Sequence, residues 1–260
     1  VGYCAVITET NAPLLRALIY KFIVRDAVKR SFHRVWLRQD ENVPKPGSMP
    51  ILLYANHTSW WDGYMVCLLF QEAWQRNKRR WLVMAEEETL KKYPFFRSLG
   101  AFGVNRQSPR DGIAAIQHAV GCMCDQPYGV CVVFPQGKFH HVDARPLGFY
   151  NGVGLIAKQT LAQAGVCALV PMALRYEFCD EQLPHAFITL GAPKILRSNY
   201  SAEISAKAIT QGMEQQLIAE MDTLRDQCLH RQFELFVPIV RGALGIQETW
   251  DWVRKKLRWG

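Results

Sequence analysis

The sequence predicts an α/β fold, with a mostly parallel central sheet flanked by helices and amphipathic N- and C-terminal helices. Three observations carry this reading. Short apolar runs alternate with helical patterns, which is the order of a sheet built by crossover connections. The chain has 260 residues, 49% hydrophobic and 21% charged, enough for a substantial core and too apolar for a mostly disordered chain. No segment repeats at a fixed period.

Taken in order, Pro13 to Arg38 reads as a helix. Leu15, Leu18, Ile19 and Phe22 share a face, and Val28, Phe32, Val35 and Trp36 make a second, rotated stripe. Seven Lys/Arg against one Asp lie between 16 and 38. Such a helix suits a membrane interface, with cations towards lipid phosphates. It also suits a helix packed on the core with a solvated basic face. Residues 42–50 contain three prolines and a glycine and read as a linker. Beyond it, Ile51–Ala55 predicts a strand, Asp62–Trp74 a helix, Trp81–Ala85 a strand and Ala101–Val104 a short extended piece. Pro109–Cys124 predicts a helix, Val130–Phe134 a strand, Gly152–Ala164 a helix, Ala168–Leu174 and Ala186–Leu190 strands, and Ser201–Leu229 a long helix. In Phe233–Gly260, Trp250, Trp252 and Trp259 sit near Arg254, Lys255, Lys256 and Arg258. That composition suits the headgroup layer, or a docked helix. The organisation expected is an N-terminal amphipathic helix and linker over 1–44, an α/β domain over 45–230 and an apolar, basic-aromatic segment over 231–260.

The net charge is +8, which favours an anionic partner: a membrane surface, nucleic acid, or a phosphorylated or acidic carrier. The cations gather at the apolar termini rather than along a polar, aromatic-studded groove, so nucleic acid is not expected. No spanning helix is expected, because the apolar stretches 51–70 and 235–246 are broken by His57, Asp62, Pro238 and Arg241. No signal peptide is read at the N-terminus. The eight cysteines (Cys4, Cys67, Cys122, Cys124, Cys131, Cys167, Cys179, Cys228) form no CxxC pair. The CxC at 122–124 lacks a second cluster at zinc spacing. They read as reduced, mostly buried thiols in a cytosolic setting. The G-x-G within Gly148–Gly154 does not directly follow a predicted strand, which excludes a dinucleotide site.

The chemistry gathers after the first predicted strand, in Asn56-His57-Thr58-Ser59-Trp60-Trp61-Asp62. Sites in α/β sheets lie at the carboxyl ends of strands. A carboxylate on one imidazole nitrogen fixes the tautomer and leaves the other as a base. Five residues separate His57 from Asp62, a poor fit to one regular helix but within reach of a turn. Ser59 reads as a turn residue rather than a nucleophile. Trp60 and Trp61 either shape a substrate pocket or wedge the turn. Phe95, Phe96, Phe102 and Phe149 read as core, with an acyl channel as the other role. The loop residues His140, His141 and Asp143 have no further clustered ligand, and no metal is assigned to them.

The order NHTSWWD, then Met84 to Phe96, Gly100-Ala-Phe-Gly-Val-Asn-Arg106, Val133-Phe-Pro-Gln-Gly-Lys138 and Leu169-Val-Pro-Met172 resembles the glycerolipid acyltransferase family, the PlsC-type lysophosphatidate and glycerol-3-phosphate acyltransferases. The resemblance covers roughly residues 45–195. It implies a peripheral enzyme on the cytoplasmic face of a membrane. The enzyme would move a fatty acyl group from acyl-CoA or acyl carrier protein to the hydroxyl of a lysophospholipid or another lipid alcohol, without a cofactor. It further implies His57 as general base, Asp62 as its orienting partner and Arg106 as a contact for an acceptor phosphate. Gln136, Gly137 and Lys138 join Trp60 and Trp61 as substrate-binding residues, with backbone N–H groups near Gly137 as oxyanion donors. The third block departs from the family: Gln136 stands in place of a glutamate and Phe139 in place of an arginine. That loss makes an apolar or glycosylated alcohol, such as a carotenoid glycoside, a credible acceptor. It also motivates a different class, a non-catalytic lipid-binding or membrane-scaffold protein that keeps the fold. Acyl exchange between phospholipids would use the same base.

Overall fold

The computed structural model describes residues 6–74, 81–201 and 203–257; Cys4, Arg258 and Trp259 lie outside them. From the N-terminus, α1 (Pro13–Ile19) runs through a π-turn (Tyr20–Val24) into α2 (Arg25–Ser31). β1 (Arg34–Gln39) and β2 (Ile51–Ala55) follow, then α3 (Trp61–Leu68) with a π-turn (Leu69–Ala73). Next are β3 (Trp81–Glu86), α4 (Glu87–Lys92), α5 (Phe95–Ser98), β4 (Ala101–Val104) and α6 (Pro109–Cys124). β5 (Val130–Val133), α7 (Gly152–Ala164), β6 (Val166–Glu177), β7 (His185–Leu190) and β8 (Lys194–Arg197) complete the middle of the chain. α8 (Ser198–Ser201), α9 (Ala206–Leu229), β9 (Val237–Arg241) and α10 (Ile246–Leu257) end it.

The strands form one sheet in the order β4-β3-β5-β2-β6-β7-β1-β9. From β4 to β6 every pairing is parallel, as crossover helices require. β6 is long enough to pair β8 through its first residues and β7 through its last, both antiparallel. The edge pair β1/β9 is also antiparallel. The central strands are buried on both faces, so they read as unbroken apolar runs. Their side chains still alternate. Ile51, Leu53 and Ala55 of β2 enter one core beneath α1, α2 and α3, whereas Leu52 and Tyr54 enter the other beneath α6, α7 and α9. Gly154 lets α7 and α9 meet, since a Cβ there would lie 2.1 Å from the Ala206 carbonyl. Packing therefore accounts for that glycine.

The expected helix over 13–38 is corrected. The chain leaves the helix at Phe32, and 34–39 is a strand between β7 and β9. Val35 and Trp36 are buried as strand residues on opposite faces, not on one helical stripe. The first stripe divides as well: Ile19 faces the core, but Leu15, Leu18 and Phe22 face solvent with Leu14. Ser205, whose hydroxyl accepts from the Ala208 N–H, caps α9, so the long helix starts there rather than at Ser201. The described cysteines are all free thiols, and Cys67, Cys122, Cys131 and Cys167 are buried. Among the described residues no helix is long and apolar enough to cross a membrane.

Candidate active site

β2 and β5 pair in parallel with Tyr54 opposite Val133, so the segments leaving their carboxyl ends start side by side. Residues 56–61 follow one strand and residues 134–139 the other. Asn56 is fully buried and clips the first segment to β6: its amide donates to Leu174 O at 2.9 Å and its carbonyl accepts from Leu174 N at 2.8 Å. The turn beyond it brings His57 Nδ1 to 2.7 Å from Asp62 Oδ2.

Asp62 has no solvent exposure. A buried carboxylate is tolerable only when its lone pairs are occupied. Here Thr58 N–H and Ser59 N–H donate to Oδ2 at 2.7 and 2.9 Å, and the Tyr176 hydroxyl donates to Oδ1 at 2.6 Å. Asp62 also lies in the first turn of α3, where the helix dipole favours an anion. Burial, followed by the Asp62 charge, pushes the Tyr176 hydroxyl well above its ordinary range, so it stays a donor. Pairing with this carboxylate favours the tautomer protonated on Nδ1, with Nε2 as the other ring nitrogen. The imidazole meets Phe134, stacked at 4.3 Å between centroids, and Phe139, tilted at 4.4 Å. Its backbone is fixed as well: His57 N–H donates to Gln136 Oε1 at 2.7 Å, and His57 O accepts from His140 N–H at 2.8 Å.

His57 opens onto a cleft of about 600 Å³. Met84, Leu99, Val104, Ile116, Val153 and Ile156 form its apolar wall, and Arg106, Lys138 and Glu86 give it a charged end. Arg106 bonds Glu86 Oε1 at 2.9 Å and lies over the Tyr150 ring at 5.7 Å. Gly137 has φ +66°, and a Cβ on it would come within 2.5 Å of Arg106 Nη1. The positive φ favours glycine there, and a Cβ would in addition displace the Arg106 guanidinium.

Of the residues expected from the sequence, His57, Trp60, Arg106, Gly137 and Lys138 line this cleft, and Asp62 stands behind His57. Gln136 does not line it. It is 2% exposed and holds the His57 main chain. A neutral amide oxygen meets that need without burying a second charge beside Asp62. The two tryptophans separate: Trp60 meets Tyr93 and Phe96 at the cleft, whereas Trp61 packs on Phe32 and Tyr64 away from it. Gly137 N–H donates to Phe134 O at 3.0 Å, so it is already engaged by the turn. Ser59 Oγ accepts from Trp61 N–H at 3.2 Å, a turn role. Cys67 touches the cleft, but burial pushes its thiol up to about 12, leaving it protonated at neutral pH. Phe96 lines the cleft, Phe102 is fully buried, and Phe95 and Phe149 pack on the two cores. His141 Nδ1 accepts from Asp143 N–H, and Asp143 pairs with Arg175 at 2.8 Å.

Tyr176, Phe134 and Tyr150 were not singled out from the sequence. The available signal for Tyr176 was its place at the end of a strand adjoining β2, a neighbour relation that the sequence alone leaves open.

The family model described as Acyltransferase matches residues 34–175. No curated protein matches the chain. Among solved structures, the 1-acyl-sn-glycerophosphate (LPA) acyltransferase PlsC from Thermotoga maritima has a similar fold. Its TM-score is 0.52 at 18% identity, over 83% of this chain and 84% of that one.

Proposed function

Because the chain belongs to the acyltransferase family, we propose that it is a membrane-surface O-acyltransferase that moves a fatty acyl group from acyl-CoA or acyl carrier protein to the hydroxyl of a lysophospholipid or another lipid alcohol. The observation that carries this reading is a buried, fully hydrogen-bonded Asp62 holding His57 at the wall of an apolar cleft. The acceptor hydroxyl gives its proton to His57 Nε2 as its oxygen attacks the thioester carbonyl. Asp62 stabilises the imidazolium that forms. The tetrahedral intermediate then expels the thiolate, which takes the proton back from Nε2, leaving an ester and a free thiol. No acyl-enzyme is involved, which accords with the turn role of Ser59 and the protonated Cys67.

The apolar wall receives the acyl chain. Arg106 and Lys138 bind the anionic part of donor or acceptor, the guanidinium exchanging Glu86 for a phosphate. Lys138, rather than the engaged Gly137 N–H, supports the oxyanion. Phe139, in place of a second arginine, presents a ring to His57 instead of a cation. That leaves a site less committed to phosphate and open to lipid alcohols with other headgroups.

α1 with its π-turn and α10 act at the cytoplasmic face of a membrane. Leu14, Leu15, Leu18 and Phe22 form an exposed apolar stripe on a helix that packs against α5, whose Phe96 reaches the cleft. On α10 the exposed Trp250 and Trp252 lie beneath Arg254 and Lys256. Rings with cations suit the lipid interface.

The test is thiol release from labelled acyl-CoA and acyl carrier protein, presented with vesicles carrying lysophosphatidate, a glycosylated isoprenoid alcohol or no acceptor. Acceptor-dependent release is expected. Absence of release with any lipid alcohol would overturn the proposal.

A further inference from the structure

Away from His57, three side chains of different chemistry converge. His118 and Cys122 stand four residues apart on α6 and so share a face. Glu9 reaches them from the extended strap that precedes α1. Glu9 Oε2 is 2.8 Å from His118 Nε2, and Cys122 Sγ is 3.8 Å from the same nitrogen. The three ligating atoms all lie within 4.8 Å of one another. A tetrahedral zinc with N and O ligands at about 2.0–2.2 Å and sulfur at about 2.3 Å sets its ligand atoms roughly 3.3–3.6 Å apart. The cluster reaches that geometry once the Glu9–His118 contact opens by about half an ångström and the Cys122 sulfur draws in towards both partners.

Cys122 is buried, Glu9 and His118 are partly buried, and the three are pre-positioned. Cys122 is 6% exposed, and the Glu9 side chain 10%. The strap is held on both sides of Glu9: Ile7 O accepts from Gly103 N–H of β4 at 2.7 Å, Arg97 Nε donates to Thr8 O at 2.8 Å, and Thr10 N–H donates to Arg97 O at 2.9 Å. β4 is the open edge of the sheet.

We propose that Glu9, His118 and Cys122 bind a zinc ion that clamps the N-terminal strap to α6 across this edge, with water in the fourth position. On binding, the Cys122 thiol releases its proton to solvent, His118 offers Nε2 with its proton on Nδ1, and the Glu9 carboxylate coordinates unchanged. The CxC at 122–124 concealed the site, because the partners of Cys122 are a histidine one turn back and a glutamate over a hundred residues away.

The test uses the purified full chain, stripped with chelator and titrated with zinc and then cobalt. Roughly one zinc per chain is expected, with a rise in melting temperature and, for cobalt, a near-ultraviolet thiolate charge-transfer band. Cys122→Ser should abolish that band, and His118→Gln and Glu9→Gln should weaken binding at least about tenfold. Cys228→Ser, at a cysteine outside the cluster, should change neither. In the wild-type chain alone, zinc should protect Cys122 from alkylation as mapped by mass spectrometry, a readout that needs no folded variant. Wild-type chain that takes up no zinc, a cobalt spectrum without the thiolate band, or a Cys122 left unprotected would overturn the site.

Discussion

At the scale of single residues, the site is an arrangement for keeping one imidazole in one tautomer. Asp62 provides the charge, and Tyr176 with two backbone N–H groups keeps that charge in place. Asp62→Asn retains the shape and removes the charge. The expected result is a fall in kcat on the order of 10²–10⁴-fold in the thiol-release assay, with a native circular dichroism spectrum. A kcat within about threefold of wild type would mean that the carboxylate does not serve the base. Tyr176→Phe removes a hydrogen bond to a charged acceptor, which contributes about 1.5–3 kcal/mol. It should lower stability by that order in denaturant melts and reduce kcat less than Asp62→Asn. An unchanged midpoint would show that Tyr176 contributes no net stability to the buried carboxylate. The His57–Asp62 pair was legible because it follows a strand end and the ordered blocks after it resemble the acyltransferase family; the spacing alone is a weak signal. Tyr176 was not, because it lies 114 residues away from Asp62 and meets it only through the β2–β6 pairing.

At the scale of elements, the segments with strong local signals appear where the sequence places them. Ile51–Ala55 is an unbroken apolar run, Pro109–Cys124 starts behind the cap Ser108, and Gly152–Ala164 stops at Gly165 in a left-handed conformation. The segment Arg34–Gln39 misleads, because its apolar residues can extend a helical stripe or alternate along a strand. The choice is made by β7 and β9, some 150–200 residues further on. α1, its π-turn and α2 keep an exposed face: Tyr20, Val24 and Val28 satisfy the core, and Leu18 and Phe22 remain outside. Replacing both Leu18 and Phe22 by glutamate should leave thermal stability nearly unchanged and weaken co-sedimentation with anionic vesicles on the order of 10²-fold. Binding equal to wild type would remove this helix from the membrane interface.

At the scale of the whole molecule, the far end of the sheet holds a second histidine, one that the reaction does not use. His185 is 4% exposed and accepts from Trp36 Nε1 at 2.8 Å on Nδ1. Burial first, then the neighbouring His33 and Arg34, lower its pKa to about 4, against weaker opposing pulls from Asp180 and Glu248. A histidine lowered in the folded state binds its proton more readily when unfolded. Its contribution is therefore complete above about pH 6.5 and is lost as pH falls towards 4, on the order of 3 kcal/mol in all. Urea melts should show stability declining through that window, and His185→Gln should flatten the decline. A decline of the same slope in the variant would assign it to other groups. Under the proposed function, the sheet, its two cores and the cleft serve one chemical act, the removal of a proton from a lipid hydroxyl by His57. The most direct test is acceptor-dependent thiol release by His57→Ala beside wild type, on protein whose circular dichroism and melting temperature match. Release reduced to the uncatalysed background is the expected result; turnover at the wild-type rate would contradict the account.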